Sequence, residues 1–195
     1  CIEDEIEAGV DEAGRGPLFG RVYAAAVILN PELTYNNNLI KDSKKLSKNN
    51  LLISEGYVKS IAMDWCVAYS TEQRIDEINI LHATQEAMHK ALDGLNIKPG
   101  FLLIDGNYFK PYKDIQCNCV VGGDDTYYSI AAASILAKTA RDRYIEELCK
   151  ANPELNEKYS IGTNKGYGAV KHIQGIKKYG ISEWHRKTFG ICKNY

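Results

Sequence analysis

Six consecutive apolar residues, Ala24-Ala25-Ala26-Val27-Ile28-Leu29, constrain the architecture more than any other stretch of this chain. A strand that is apolar at every position has no face for water, so it must be covered on both sides. The segments around it alternate in type. Ile6–Asp11, Val22–Leu29 and Asp64–Ser70 read as three strands, Phe101-Leu102-Leu103-Ile104-Asp105-Gly106 as a second buried strand, and Ile115–Val121 as a fifth. Ser47 is placed to cap a helix over about residues 48–60, and Thr71 or Asn79 could open helical segments reaching Leu92. The longest helical pattern runs over about Asp125–Lys150 and is rich in alanine; another covers Ala169–Tyr179, with Gly180 as its stop. Asn36-Asn37-Asn38 is a loop, and no repeat or low-complexity linker is present. Strands interleaved with helices predict an α/β domain built on a mixed sheet. At 195 residues and 45% hydrophobic, a single domain over 1–195 is the expectation.

Acids recur where strands run out. Ile6, Ala8 and Val10 alternate with Glu7, Gly9 and Asp11, so Asp11 and Glu12 fall where the first strand meets a loop. Two adjacent carboxylates there repel unless a cation or substrate group neutralises them. Gly14 and Gly16 flank Arg15 and let the backbone come close to a ligand. Alone, the stretch is equally a strand ending in a solvated turn. Its glycines miss the dinucleotide-loop spacing by one residue, and Pro17 opposes a helix running straight on. Asp105 ends a buried strand before Gly106, and Asp124-Asp125 follow Gly122-Gly123; singly, each could be a turn or a helix cap. Together they form a carboxylate set with little histidine, which suits Mg²⁺ or Mn²⁺ rather than zinc. Two such ions about 4 Å apart can activate water and steady the leaving oxygen of a phosphodiester.

Charge is uneven along the chain. The net charge is −1, but residues 158–195 carry a balance of +7 and the remainder −8. A basic end on an acidic body suits a polyanion held against a carboxylate site. Tyr167, Tyr179, Trp184 and Phe189 interleave with those charges, which favours a folded segment over a solvated tail. The six cysteines include no C-x-x-C pair and read as reduced structural residues of a cytoplasmic protein. No apolar run reaches membrane-spanning length, and the beginning, Cys-Ile-Glu-Asp-Glu, is unlike a signal peptide.

Taken in order, the motifs resemble the bacterial ribonuclease HII family. The resemblance rests on Asp11-Glu12-Ala13-Gly14-Arg15-Gly16-Pro17-Leu18, Asp42-Ser43-Lys44-Lys45-Leu46, Ile104-Asp105-Gly106-Asn107 and Gly123-Asp124. It continues through Ala132-Ala133-Ser134-Ile135-Leu136-Ala137-Lys138, Arg141-Asp142, Lys165-Gly166-Tyr167-Gly168, His172 and His185-Arg186. The resemblance implies a ribonuclease H-like fold, a mixed five-stranded sheet flanked by helices with a helical basic C-terminal segment. It implies metal-dependent endonucleolytic cleavage of RNA in RNA–DNA hybrids and at single ribonucleotides in duplex DNA, leaving 3′-hydroxyl and 5′-phosphate ends, with a role in ribonucleotide removal. Carried over by motif, Asp11, Glu12, Asp105 and Asp124 would bind the metal, Mg²⁺ or Mn²⁺, as two ions with substrate bound. Gly14, Arg15 and Gly16 would recognise the ribose and Tyr167 would contact the sugar at the RNA–DNA junction. Ser43, Lys44, Lys45, Lys165, His172 and Arg186 would be further substrate contacts, the basic ones on phosphates. The 2′-hydroxyl is the group that separates RNA from DNA, so a closely approaching backbone suits the task.

Aspartate as the fourth acid favours this family over the related ribonuclease HIII, as does the lack of room before residue 5 for an extra N-terminal domain. The chain departs from the family pattern at Arg21, often proline, at Ala169, usually threonine, and at Thr188, commonly serine. No clamp-binding motif is visible near the C-terminus, and a monomer is expected. Another ribonuclease H-like nuclease would share the acids but not the Gly14-Arg15-Gly16 and Tyr167 blocks. A catalytically silent nucleic-acid-binding module would keep the basic end without needing the acids.

Overall fold

A computed structural model describes residues 6–41, 43 and 46–195. Five strands form one sheet: β1 (Glu7–Ala13), β2 (Val22–Leu29), β3 (Ala62–Ser70), β4 (Phe101–Asp105) and β5 (Gln116–Val120). Their spatial order is β3-β2-β1-β4-β5. β2 pairs antiparallel with both β1 and β3, while β4 lies parallel to both β1 and β5, so the sheet is mixed as predicted.

The apolar run of β2 is buried along its length, and its two faces serve two cores. Ala24, Ala26 and Ile28 join Ala8, Val10, Leu102 and Ile104 under α2 (Glu72–Asp93) through Ala87, Met88 and Ala91. Ala25 and Val27 face the other way, against α3 (Tyr128–Ala151) and α1 (Lys48–Ile61). The alanines of α3, Ala131-Ala132-Ala133 and Ala137, are buried in that second core. Small side chains there let the helix axis settle close to the sheet. A third core, Phe19, Ile145, Leu155, Tyr159, Ile161 and Ile176, joins α3 to α4 (Glu154–Tyr159), α5 (Ile161–Asn164) and α6 (Val170–Tyr179).

The caps follow the sequence closely. Ser47 and Thr71 accept the backbone N–H of Asn50 and Arg74 at the starts of α1 and α2. Both proposed openings of α2 are used: the helix kinks at Asn79 (φ 66°), whose side chain accepts the N–H of His82. Other boundaries moved. β1 continues through Asp11 and Glu12 to Ala13, paired with Ala25, Ala24 and Tyr23 of β2, so the acids lie within the strand rather than beyond it. The strand β3 begins at Ala62, earlier than expected, and the short helices α4 and α5 have too few turns to show a period. Asp124 and Asp125 sit in a separate 3₁₀ turn (Gly123–Asp125), and α3 begins only at Tyr128.

Candidate active site

Register brings the first two acids together. Val10 pairs with Ile104 in the parallel β1–β4 ladder, so Asp11 and Asp105 stand beside each other one step further along. Alternation along the strands turns both side chains to the face covered by α3, because Val10 and Ile104 point into the opposite core. The third acid arrives through two glycines. A Cβ on Gly9 would lie 2.2 Å from the backbone carbon of Ser129, so only glycine allows the start of α3 to rest on β1. Asp105 Oδ1 accepts the N–H of Gly123 at 2.8 Å and thereby holds the turn that carries Asp124. A Cβ on Gly123 would meet Ile130 Cδ1 at 2.5 Å.

Asp11 is 4% exposed and Asp124 6%, whereas Asp125 is exposed. Burial holds the Asp11 carboxyl well above the usual carboxylate range, and repulsion from Glu12, then Asp105, then Asp124 adds to it; the N–H of Glu12, donated at 2.6 Å, opposes the rise. Glu12, Asp105 and Asp124 are therefore all near enough to Asp11 to raise it. Among the described residues no three His, Cys, Asp or Glu side chains stand in a ready-made metal cluster. The donor set still fits a hard cation: oxygen ligands only, crowded like charges, and a buried carboxyl whose charged form a divalent ion would restore. Asp11, Glu12, Asp105 and Asp124 are the residues that would hold it.

Beside the acids, Glu12 Oε1 pairs with Arg15 Nη1 at 3.4 Å. Arg15 and Gly16 are exposed, and Gly14 has φ 95°, a conformation that favours glycine. Tyr167 is half-exposed, and its ring lies against Gly16, where a Cβ would be 3.5 Å from Tyr167 Cε1. The loop and the ring therefore share one surface. Leu18 N–H donates to Gly166 O at 2.9 Å and fixes the two segments together.

Several expected substrate contacts sit elsewhere. Arg186 is fully buried and binds backbone carbonyls, and His172 is fully buried with both ring nitrogens engaged, so neither meets a ligand in this conformation. Side chains buried among internal partners present no donor at the surface. Ser43 is buried too, its hydroxyl 2.8 Å from Ser134 Oγ. Lys165 Nζ pairs with Glu146 at 3.1 Å. Lys44, Lys45 and Asp42 lie outside the described residues. Asp142 pairs with Lys138 at 2.7 Å, far along α3 from Asp124.

The departures from the family pattern have local accounts. The guanidinium of Arg21 lies 4.2 Å and 4.6 Å from the ring centres of Tyr69 and Tyr144. Thr188 Oγ1 donates to Asp76 at 2.7 Å. Ala169 caps α6 without a side-chain hydrogen bond. The sequence reading named Gly123, Arg141 and His185 as motif members and Gly9 as a strand residue, but gave none of them a role in supporting the site. A glycine inside a strand was the available signal for Gly9; nothing in the sequence marked Arg141 for burial. Among the described residues the cysteines are free thiols, and no helix is long and apolar enough to cross a membrane.

Comparison with known proteins gives a consistent set of likenesses. Residues 8–192 match the model of the family described as ribonuclease HII. A relative called ribonuclease HII from Phocaeicola vulgatus is 50% identical over 189 residues, covering 97% of this chain and 91% of that one. The crystal structure of ribonuclease H2 from Pyrococcus horikoshii matches with a TM-score of 0.76 at 27% identity, covering 96% of this chain and 95% of that one. The fold also matches, with a TM-score of 0.75 at 24% identity, a structure of a PCNA:RNase HII complex from Archaeoglobus fulgidus, over 95% and 96% of the two chains.

Proposed function

The chain belongs to the ribonuclease HII family, endonucleases that hydrolyse RNA in RNA–DNA hybrids, and from that premise we propose the residues and substrate through which it acts. Asp11, Glu12, Asp105 and Asp124 hold Mg²⁺ or Mn²⁺, and the exposed Gly14–Gly16 loop with Tyr167 tests the sugar beside them. The observation that carries this reading is the convergence on Asp11: it is raised by burial and by repulsion from three further acids, next to a surface shared by Gly16 and Tyr167.

A bound divalent ion would supply Lewis-acid stabilisation and activation of water. The residues themselves do the rest. Asp105 is anchored by the Gly123 N–H, so its second oxygen has a set direction. Glu12 holds Arg15 through their ion pair and couples the acids to the loop. Gly16, without a side chain, lets a ribose sit against the backbone while the Tyr167 ring bounds it from the side. Exposed Lys171, Lys177, Lys178 and Lys187 contact phosphates without reading bases. The substrate is an RNA–DNA hybrid or a duplex with a single embedded ribonucleotide, cut to leave 3′-hydroxyl and 5′-phosphate ends, which fits a role in removing ribonucleotides from DNA.

Incubation with Mg²⁺ and duplex DNA carrying one ribonucleotide tests this. Cutting beside the ribonucleotide supports the reading. Cutting of all-DNA duplex points to another kind of nuclease, and binding without cutting points to a silent module; either would sink it.

A further inference from the structure

Arg186 is the least expected side chain near the site. It is fully buried, yet each hydrogen bond it makes among the described residues goes to a backbone carbonyl. Nη2 donates to Gly14 O at 2.6 Å, Nη1 to Arg15 O at 2.9 Å and Pro17 O at 2.8 Å, and Nε to Gly20 O at 2.8 Å. Its guanidinium also lies 5.0 Å from the ring centre of Phe189. Arg141, likewise buried, gathers Phe19 O and Lys165 O through Nη2 at 3.1 Å and 3.0 Å. The loop from Gly14 to Gly20 is therefore drawn inward by its carbonyls onto a guanidinium.

That arrangement dictates where the amides go. The peptide unit is planar and trans, so its C=O and N–H point in opposite directions. With Gly14 O and Arg15 O held inside, the N–H groups of Arg15 and Gly16 are turned away from Arg186, on residues that are exposed. The half-exposed Tyr167 ring lies near the same exposed Gly16. Two successive amides displayed there form a donor pair for a sugar oxygen or phosphate. The guanidinium fork is what makes this possible, because a lysine head offers three donors at one point and cannot span the four carbonyls. Burial and the nearby Arg141 charge push the Arg186 guanidinium down to about 9, which leaves it a cation at neutral pH beneath the loop.

We propose that Arg186 is a positioning residue for ribose recognition: it never touches the substrate, and by holding the carbonyls of Gly14 and Arg15 inward it presents the Arg15 and Gly16 amides to the ribonucleotide. This rests on the reading that the Gly14–Gly16 loop tests the sugar.

The test compares wild type with Arg186→Lys and Phe189→Leu. Three quantities are read: kcat/KM with Mg²⁺ on duplex carrying one ribonucleotide, affinity for all-DNA duplex by fluorescence anisotropy, and the melting temperature. Arg186→Lys is expected to lose tenfold or more in kcat/KM on the ribonucleotide duplex while its all-DNA affinity stays within twofold. General structural damage would weaken both in parallel; a parallel loss, or no loss, overturns the inference. Should Arg186→Lys fail to melt cooperatively, Phe189→Leu decides, because it loosens the stacking and keeps the fork. A selective loss of about threefold is expected there, and an unchanged or parallel response overturns the proposal. If wild type itself shows no activity on the ribonucleotide duplex, the functional reading fails instead.

Discussion

His185 Nε2 lies 3.0 Å from His172 Nε2 in the buried wall behind Tyr167, and the neighbours of the two rings set both tautomers. His172 Nδ1 faces the carbonyl of Tyr167 at 2.8 Å and must donate there, which leaves Nε2 as an acceptor. His185 therefore donates from Nε2, and its Nδ1 accepts the N–H of Ser182 at 2.9 Å. Both rings are neutral, and an added proton would set two donors against each other.

Acid should therefore unfold this protein through these rings. Burial, reinforced by His172, pushes His185 down to about 3, and burial also lowers His172. Both folded values lie below the ordinary 6.5, so the contribution is complete above pH 6.5. Below it the unfolded chain takes up protons that the folded chain refuses. Stability then falls by up to about 1.4 kcal/mol per pH unit for each such ring. Urea midpoints at pH 7.5 and 5.0 measure the slope. His185→Gln should start less stable but fall less steeply, and an equal slope would refute the assignment.

Asp105→Asn is expected to leave the fold intact and to lower cleavage by more than about a hundredfold. The amide oxygen can still accept the Gly123 N–H, and removing one charge relieves repulsion on Asp11. Melting temperature and turnover are read on the same preparation. A folded variant with retained turnover would remove Asp105 from the site.

Asp124, Asp125 and Asp142 should separate cleanly. Asp124→Asn is predicted to nearly abolish cleavage, while Asp125→Asn and Asp142→Asn keep metal-dependent activity. Asp124 is buried within the repulsive reach of Asp11, Asp125 is exposed, and Asp142 is paired with Lys138. Isothermal titration with Mn²⁺ gives a readout besides activity: only Asp124→Asn should weaken binding. The reverse pattern would misplace the site.

Gly9→Ala should be more damaging than its size suggests. The new methyl would meet the Ser129 backbone, which cannot swing aside like a side chain. A loss of about 1–3 kcal/mol is expected, together with lost activity in the folded fraction, because α3 and the Asp124 turn would be lifted from β1. Denaturant midpoints near wild type would show that the helix start accommodates the methyl.

At Ala169, threonine is expected to stabilise the protein. The position is the N-cap of α6, with φ −66° and ψ 158°, and makes no side-chain cap bond. A hydroxyl there can accept an amide of the first turn, worth about 1 kcal/mol. Thermal melts of Ala169→Thr check this, and an unchanged midpoint would show that the cap is already satisfied by solvent.

Local signals settled much of this molecule from the sequence alone. The apolar run of β2 demanded a covered sheet, Ser47 and Thr71 marked helix starts through their hydroxyls, and acids expected near strand ends picked out the candidate site. Those features depend on neighbouring residues and on one-dimensional periods, so they are readable in one dimension. The tertiary structure separated two adjacent acids, burying Asp124 and leaving its neighbour Asp125 exposed. It also reversed the sense of Arg186 and His172, read as outward contacts and found inside. A basic side chain near an anionic site reads the same whether it faces the ligand or the backbone. Only packing fixes the direction, because the carbonyls of Gly14 and Gly20 lie 172 and 166 positions away in sequence and meet the guanidinium only when the chain folds.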